Sequence, residues 1–300
     1  DPTRPLMPFF ILYFGLCLTD AGYGMTLALL MSIAIWKFKL GRQDAKLIWL
    51  LFYAGIVTFF VSIPFGGWFG MTPDMVPTWL TYTKENGQTL FLGQVWDLQK
   101  DVDFFRNLAL ALGCIHILFG VTLSGWWKWI HGEKLNAFLQ NFSMHILLAV
   151  LCIHYGLGFP GSQYLLIAAV ALFVYGNGSG AWWLRPLTGI LGAINVCIGL
   201  MSNILSYLRI LALGLATGAL AFAINQIAIV IAGLLPMIIG IPVFLCILIF
   251  GHLISIALNG LGSFVHSGRL QFIEFLGQFF MGGGREFAPF RRSMRSLTSQ

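Results

Sequence analysis

Charge is what this sequence has least of: only 9% of its 300 residues are Asp, Glu, Lys or Arg, and 11 are acidic. A soluble domain carries about 25% charged residues, so water does not cover most of this chain. Cysteine is also sparse. Cys17, Cys114, Cys152, Cys197 and Cys246 each stand alone in an apolar segment. With no C-x-x-C pair, and no Cys near His131, neither a zinc site nor a disulfide framework is expected. The glycines at Gly282-Gly283-Gly284-Arg285 lack the G-x-x-x-x-G-K-[ST] spacing of a phosphate-binding loop. No nucleophile–base pair is visible, and no metal or cofactor is expected. Low-complexity tracts and internal repeats are missing. The chain opens at Asp1-Pro2-Thr3-Arg4-Pro5 without Met or a signal peptide, which reads as a fragment lacking a preceding soluble part.

What fills the sequence is apolar: 58% of the residues are hydrophobic. Leu47–Phe65 and Leu108–Trp127 each approach or reach the roughly 20 residues of a bilayer-spanning helix. Such continuous runs differ from the alternating segments of about 10 residues that build an outer-membrane barrel. The fold class is therefore all-α and polytopic. Basic residues cluster at Lys37, Lys39, Arg42 and Lys46, at Lys128 and Lys134, and in the tail at Arg285, Arg291, Arg292 and Arg295. No basic helix or aromatic–basic pattern marks a nucleic-acid surface, so this basic balance reads as positive-inside topology.

Leu6–Trp36 as a single helix would be about 46 Å long, well beyond a hydrocarbon core of about 30 Å. Its middle carries Asp20, Gly22 and Gly24, which are turn residues. A hairpin over residues 6–37 leaves the N-terminus and Lys37–Lys46 on one side. Spans at about Leu47–Phe69, Phe105–Trp127, Leu135–Leu157 and Gln163–Trp183 then follow. The loop over residues 71–103, with Asp74, Glu85, Asp97, Asp101 and Asp103 against Lys84 and Lys100, falls outside. A single first span would put every basic loop outside, so the charge bias favours the hairpin. Residues 1–187 thus hold six helices. Residues 188–300 hold two long ones, Thr188–Pro236 and Ile241–Phe280, whose excess length calls for tilt, kinks or extension beyond the bilayer. About eight helices result, with both termini inside.

The last helix places His252, Ser255, Asn259, Gly262, His266 and Arg269 at steps of 3, 4, 3, 4 and 3, the spacing of one helical face. The preceding helix carries Asn195, Ser202, Ser206 and Arg209 in a similar row. An arginine in a membrane helix costs about 2.5–3.5 kcal/mol on insertion scales. Arg209 has long apolar stretches on both sides, too long for its side chain to reach the interface. Both arginines are read as buried and as the centres of the chemistry. Carboxylates that could neutralise them are few: Asp20, and Glu274, which lies five residues past Arg269 and on α-helical spacing points away from the stripe. Glu274 completes the candidate channel-lining set of Asn195, Ser202, Ser206, His252, Ser255, Asn259 and His266. Ala212, Gly214, Ala216, Gly218, Ala219, Ala221 and Ala223 make a small-residue run that admits close helix approach. His116, His145 and His154 read as hydrogen-bonded packing residues.

These residues resemble a known family. Phe9-Phe10 through Phe14-Gly15 and Asp20-Ala21-Gly22-Tyr23-Gly24 look like the opening of the membrane domain of subunit I, or a, of rotary V/A-type ATPases. Gly113 to His116, followed by Phe119-Gly120, is similar to its fourth helix. Asn203 through Arg209 to Ala216 resembles its arginine motif. Phe264 to Phe275, with Gly282–Gly284 and Phe287–Phe290, resembles its C-terminal signature. The resemblance spans essentially the whole chain.

It implies a stator in a membrane sector, with eight helices and two long tilted ones against a rotating proteolipid ring. Protons or sodium ions would pass through two offset half-channels. Arg209 and Arg269 would attract the ionised carboxylates of the ring and block a direct leak. Nucleotide chemistry would lie elsewhere in the complex. Peripheral-stalk subunits and a central-stalk cap subunit would bind through a cytoplasmic N-terminal domain outside this fragment, in a prokaryotic plasma membrane. Eukaryotic members often carry a glutamate where Asn259 stands. Two other readings compete: a stand-alone secondary transporter binding an anionic substrate with its arginines, and a structural membrane anchor. Inverted repeats and broken midplane helices, the usual marks of transporters, are not evident.

Overall fold

The computed structural model describes residues 3–83, 89–98, 100–157 and 161–280. The tail arginines, Lys84, Glu85 and the Gly282–Phe290 part of the C-terminal motif lie outside them. Ten α-helices appear among the described residues: α1 Thr3–Leu18, α2 Ala21–Phe38, α3 Lys46–Ser62, α4 Val102–Ile130, α5 Lys134–Asn136, α6 Ser143–Leu151, α7 Ser162–Gly176, α8 Arg185–Leu205, α9 Leu208–Gly233 and α10 Met237–Arg269. The hairpin β1 Thr81–Thr83 and β2 Thr89–Phe91 is the one sheet there. Six runs are long and apolar enough to cross a membrane, and Pro5–Leu18 and Ser162–Gly176 are shorter apolar helices.

The first apolar stretch breaks at Thr19–Asp20. Thr19 takes a positive φ of 41°, and Asp20 caps α2 by accepting the Tyr23 N–H at 3.0 Å, so each new helix end has a partner for its backbone. Asp20 Oδ1 also accepts the N–H of Phe69 at 3.1 Å, and Gly67 accepts the N–H of Ala21 at 2.7 Å. The loop after α3 therefore clasps the break. Gly15 of α1 and Gly24 of α2 both lie against Thr58 of α3, so α3 packs on both helices where they meet.

The penultimate long run, whose length called for tilt, kinks or extension, divides into α8 and α9. It unwinds at Ser206–Tyr207, where Ser206, Tyr207, Arg209 and Ile210 donate to carbonyls three residues back, at 3.2, 3.1, 3.3 and 2.9 Å. Such a tightened turn inside a helix is a usual place for a bend. The cause is tertiary. Tyr207 is fully buried, and its hydroxyl meets His116 Nδ1 of α4 at 2.7 Å. Gly113 makes the approach possible, since a Cβ there would lie 2.6 Å from Cγ of the Tyr207 ring. Around this knot pack Tyr13, Phe105, Ile117, Ile210 and Leu270. Beyond the break α9 runs with α10, while α8 packs on α4 and α7.

The final helix also changes character. Leu270–Phe275 is a π-helical turn that ends with the Phe275 ring stacked on His116, centroids 4.2 Å apart. Ring packing and the wider turn together set which residues after Arg269 face inward.

Candidate functional site

α9 and α10 lie antiparallel. Gly240 faces Ala232, Gly251 faces Ile224, and His252 Nε2 meets Asn225 Oδ1 at 2.9 Å. Extended along the helices, this register brings Arg209 opposite the turn of α10 that holds His266 and Arg269. His266 lies within electrostatic reach of both arginines.

The stripe on α10 does not keep one face. Over 17 positions its steps fall about 100° short of whole turns, because 3.6 residues per turn exceeds the mean spacing. Ser255 is consequently buried while Arg269 is exposed. Within the chain itself Arg209 is partly covered, with a side-chain exposure of 20%, and Arg269 is exposed.

Glu274 lies away from Arg269: Arg269 is exposed, whereas Glu274 sits with the buried Leu270, Gln271 and Phe275 of the π turn. Glu274 is turned inward, 2% exposed, with Oε1 at 4.0 Å from Nη1 of Arg209. This ion pair is loose: Arg209 Nη1, Glu274 Oε2 and His266 Nδ1 are buried atoms with no hydrogen-bond partner among the described residues. Buried polar groups are usually satisfied, so three unsatisfied ones in a single neighbourhood single it out.

Around Tyr23 and His252 the polar groups are hydrogen-bonded to one another, although Asp20 Oδ2 close by has no hydrogen-bond partner among the described residues. Asn225 Nδ2 donates to the Phe69 carbonyl at 2.8 Å. His252 Nδ1 meets the Tyr23 hydroxyl at 2.8 Å, Tyr23 meets Ser255 Oγ at 3.0 Å, and Asn259 Nδ2 donates to Ser255 Oγ at 2.9 Å. Tyr23 and Asn225 were not singled out from sequence. Asn225, followed by Gln226, makes a lone pair of amides in an apolar helix, and that rarity was the available signal; Tyr23 stood in the quoted Asp20–Gly24 motif. Gly22 is required here by contact, because a Cβ would lie 2.3 Å from the Phe69 ring, which packs on Tyr23 and His252.

Other candidates are not gathered in. Asn195 and Ser202 are exposed on α8, and Ser206 Oγ bonds back to the Ser202 carbonyl at 3.1 Å. The small-residue run divides: Gly214 and Ala221 are buried, whereas Ala212, Ala216, Ala219 and Ala223 are exposed and continue the Arg209 face at steps of 3, 4, 3 and 4. His145 and His154 are hydrogen-bonded, to Thr122 at 3.0 Å and Ser162 at 2.8 Å.

Comparison with known proteins places this geometry among relatives. Residues 187–292 match the V-type ATPase 116kDa subunit family. The whole chain is similar to the A-type ATP synthase subunit I of Methanocaldococcus jannaschii, 33% identical over 327 residues, covering 100% of this chain and 46% of that protein. The Thermococcus kodakarensis subunit I is 30% identical over 298 residues, covering 97% of this chain and 43% of its own. The V-type ATP synthase subunit I of Chlamydia pneumoniae is 23% identical, covering 97% and 51%. The chain thus spans about half the length of the curated relatives it matches.

Proposed function

The chain belongs to the subunit I family of V- and A-type ATPases, and from that premise we propose that it is the membrane stator of a rotary ATPase, conducting protons or sodium ions at an interface with a proteolipid ring. The observation that carries this reading is Arg209: a permanent cation in an apolar helix, beside a bend, loosely paired to Glu274 and heading an exposed row of alanines. Small residues let a partner helix come close. A guanidinium cannot be deprotonated in a protein, so it attracts an ionised ring carboxylate and bars ions from passing straight through. An ionised carboxylate is costly in lipid, so a ring site leaves the interface only after taking up an ion.

In this reading two offset half-channels meet the ring on either side of Arg209. Arg269, on the facing turn of α10 and exposed, assists the same carboxylates. The break at Thr19–Asp20 and the positive-inside bias support a first hairpin, eight helices with the last two tilted, and both termini in the cytoplasm of a prokaryotic cell. The stalk subunits and nucleotide turnover belong to parts beyond this chain.

The test is Arg209→Ala in the intact complex, with ATP-driven ion uptake measured in sealed vesicles. Uptake is expected to fall by about 100-fold or more, in line with the roughly 3 kcal/mol that one preorganised charge contributes. Undamaged coupling in this variant would sink the reading.

A further inference from the structure

We propose that Tyr23, His252 and Ser255 form a proton relay, oriented by Asn225 and Asn259, so that this part of the ion route carries protons and excludes sodium. The proposal rests on the ion-conducting reading above and names the ion that this segment admits.

The direction of each hydrogen bond follows from one fixed point. The Phe69 carbonyl can only accept, so the Asn225 amide must present Nδ2 to it and Oδ1 to His252. An amide oxygen only accepts, hence His252 Nε2 carries a hydrogen. At the other end Asn259 Nδ2 donates to Ser255 Oγ. Between these ends stand three groups that both give and take protons, linked at 2.8 Å and 3.0 Å. With neutral His252, Ser255 O–H donates to Tyr23, and Tyr23 O–H donates to Nδ1. With His252 protonated, Nδ1–H donates to Tyr23, and Tyr23 O–H turns to Ser255.

Both arrangements leave the relay bonds made, and they differ by one proton. Loading is balanced at every atom. An incoming proton bonds to Ser255 Oγ as the old Ser255 hydrogen moves to Tyr23 Oη, and the old Tyr23 hydrogen moves to His252 Nδ1. The half-exposed imidazolium then makes a half-turn about Cβ–Cγ, releases its Nδ1 hydrogen to solvent and turns back. Nε2 thus keeps its hydrogen, Nδ1 is again free to accept, and the two hydroxyls swing back to the starting arrangement. Asn225 and Asn259 are positioning residues, since an amide does not pass the proton on.

Sodium has no place in this chain of contacts. Tyr23 is 0% and Ser255 1% exposed, and the relay atoms touch one another directly, with no gap between them. The neighbouring carboxylate, Asp20, directs Oδ1 at the backbone N–H groups of Tyr23 and Phe69; its Oδ2 has no hydrogen-bond partner among the described residues and is not one of the relay atoms. At the Phe69–Asn225 end, Gly70 and Phe222 line a cleft of about 450 Å³ that also reaches Asp20, Thr72 and Gln94. The cleft lies next to the relay in sequence, at Gly70 beside Phe69, but its lining contains none of the relay residues.

The decisive variants are Tyr23→Phe, which removes one oxygen and keeps the ring packing, and His252→Gln, which keeps two-sided hydrogen bonding but holds no extra proton. Each is reconstituted as intact complex in sealed liposomes, and ATP-driven proton uptake is followed with a pH-sensitive dye, with and without sodium. Both variants are expected to lose at least ~10-fold in proton uptake, and wild-type uptake is expected to ignore sodium. Wild-type rates in both variants, or rescue by His252→Gln, would overturn the relay; sodium-dependent uptake would overturn the exclusion. Arg209→Ala, run in parallel, separates the two ideas. If it abolishes uptake while Tyr23→Phe does not, the relay alone fails; if it too is silent, the ion-conducting reading fails with it.

Discussion

The two ends of the α9–α10 pair treat their polar groups in opposite ways. Towards the Pro236 turn, Asn225, His252, Tyr23, Ser255 and Asn259 are joined in one hydrogen-bonded chain. Towards the bend, Arg209 Nη1, His266 Nδ1 and Glu274 Oε2 are buried without hydrogen-bond partners, and Arg269 is exposed. A satisfied network is self-contained and rigid, whereas an unsatisfied cation beside an uncovered apolar helix is suited to a group from another chain. The difference separates residues that hold or move a proton within this chain from residues that act on a partner.

Substitutions at the arginine end should damage transport without damaging the fold. The largest effect among them is Arg209→Lys, which keeps a cation but loses the planar fork and can deprotonate. ATP-coupled uptake in sealed vesicles is expected to drop by at least ~10-fold, and full activity would show that charge alone suffices. Arg269→Ala should be milder, a several-fold loss of uptake, because its side chain is exposed and has no ion pair among the described residues. Its thermal unfolding midpoint in detergent should match wild type; a clear drop would mean that Arg269 belongs to the packed core. The opposite behaviour is expected where polar groups are satisfied. Tyr207→Phe strips the partner from buried His116 Nδ1, at a cost of about 1–3 kcal/mol. It should appear as a lowered unfolding midpoint, and an unchanged midpoint would show that the aromatic packing alone holds the bend.

Much was legible before any coordinates. Helices win over strands because continuous apolar runs cannot satisfy their backbones in lipid any other way. The break at Asp20 was visible as a carboxylate with two glycines in an overlong run. Arg209, Arg269 and the polar positions of α10 stood out because polar groups are expensive in such segments. The hydrogen-bonded state of His116, His145 and His154 was also foreseen, although their partners Tyr207, Thr122 and Ser162 were not.

Three features needed the folded chain. The drift of the α10 stripe follows from 3.6 residues per turn, but which of its members become buried depends on where α2 and α9 lie. The bend at Ser206–Tyr207 has no proline to announce it. It comes from the contact of Tyr207 with His116 in the space left at Gly113, more than ninety positions away in the chain. Glu274 lies 4.0 Å from Arg209 on the neighbouring helix, a pairing of residues sixty-five positions apart. Sequence by itself determined which groups are costly in this chain, since that is a property of each side chain and its local hydropathy. Tertiary structure decided which of them are paired, because pairing depends on distances between residues that no periodicity along one helix can encode.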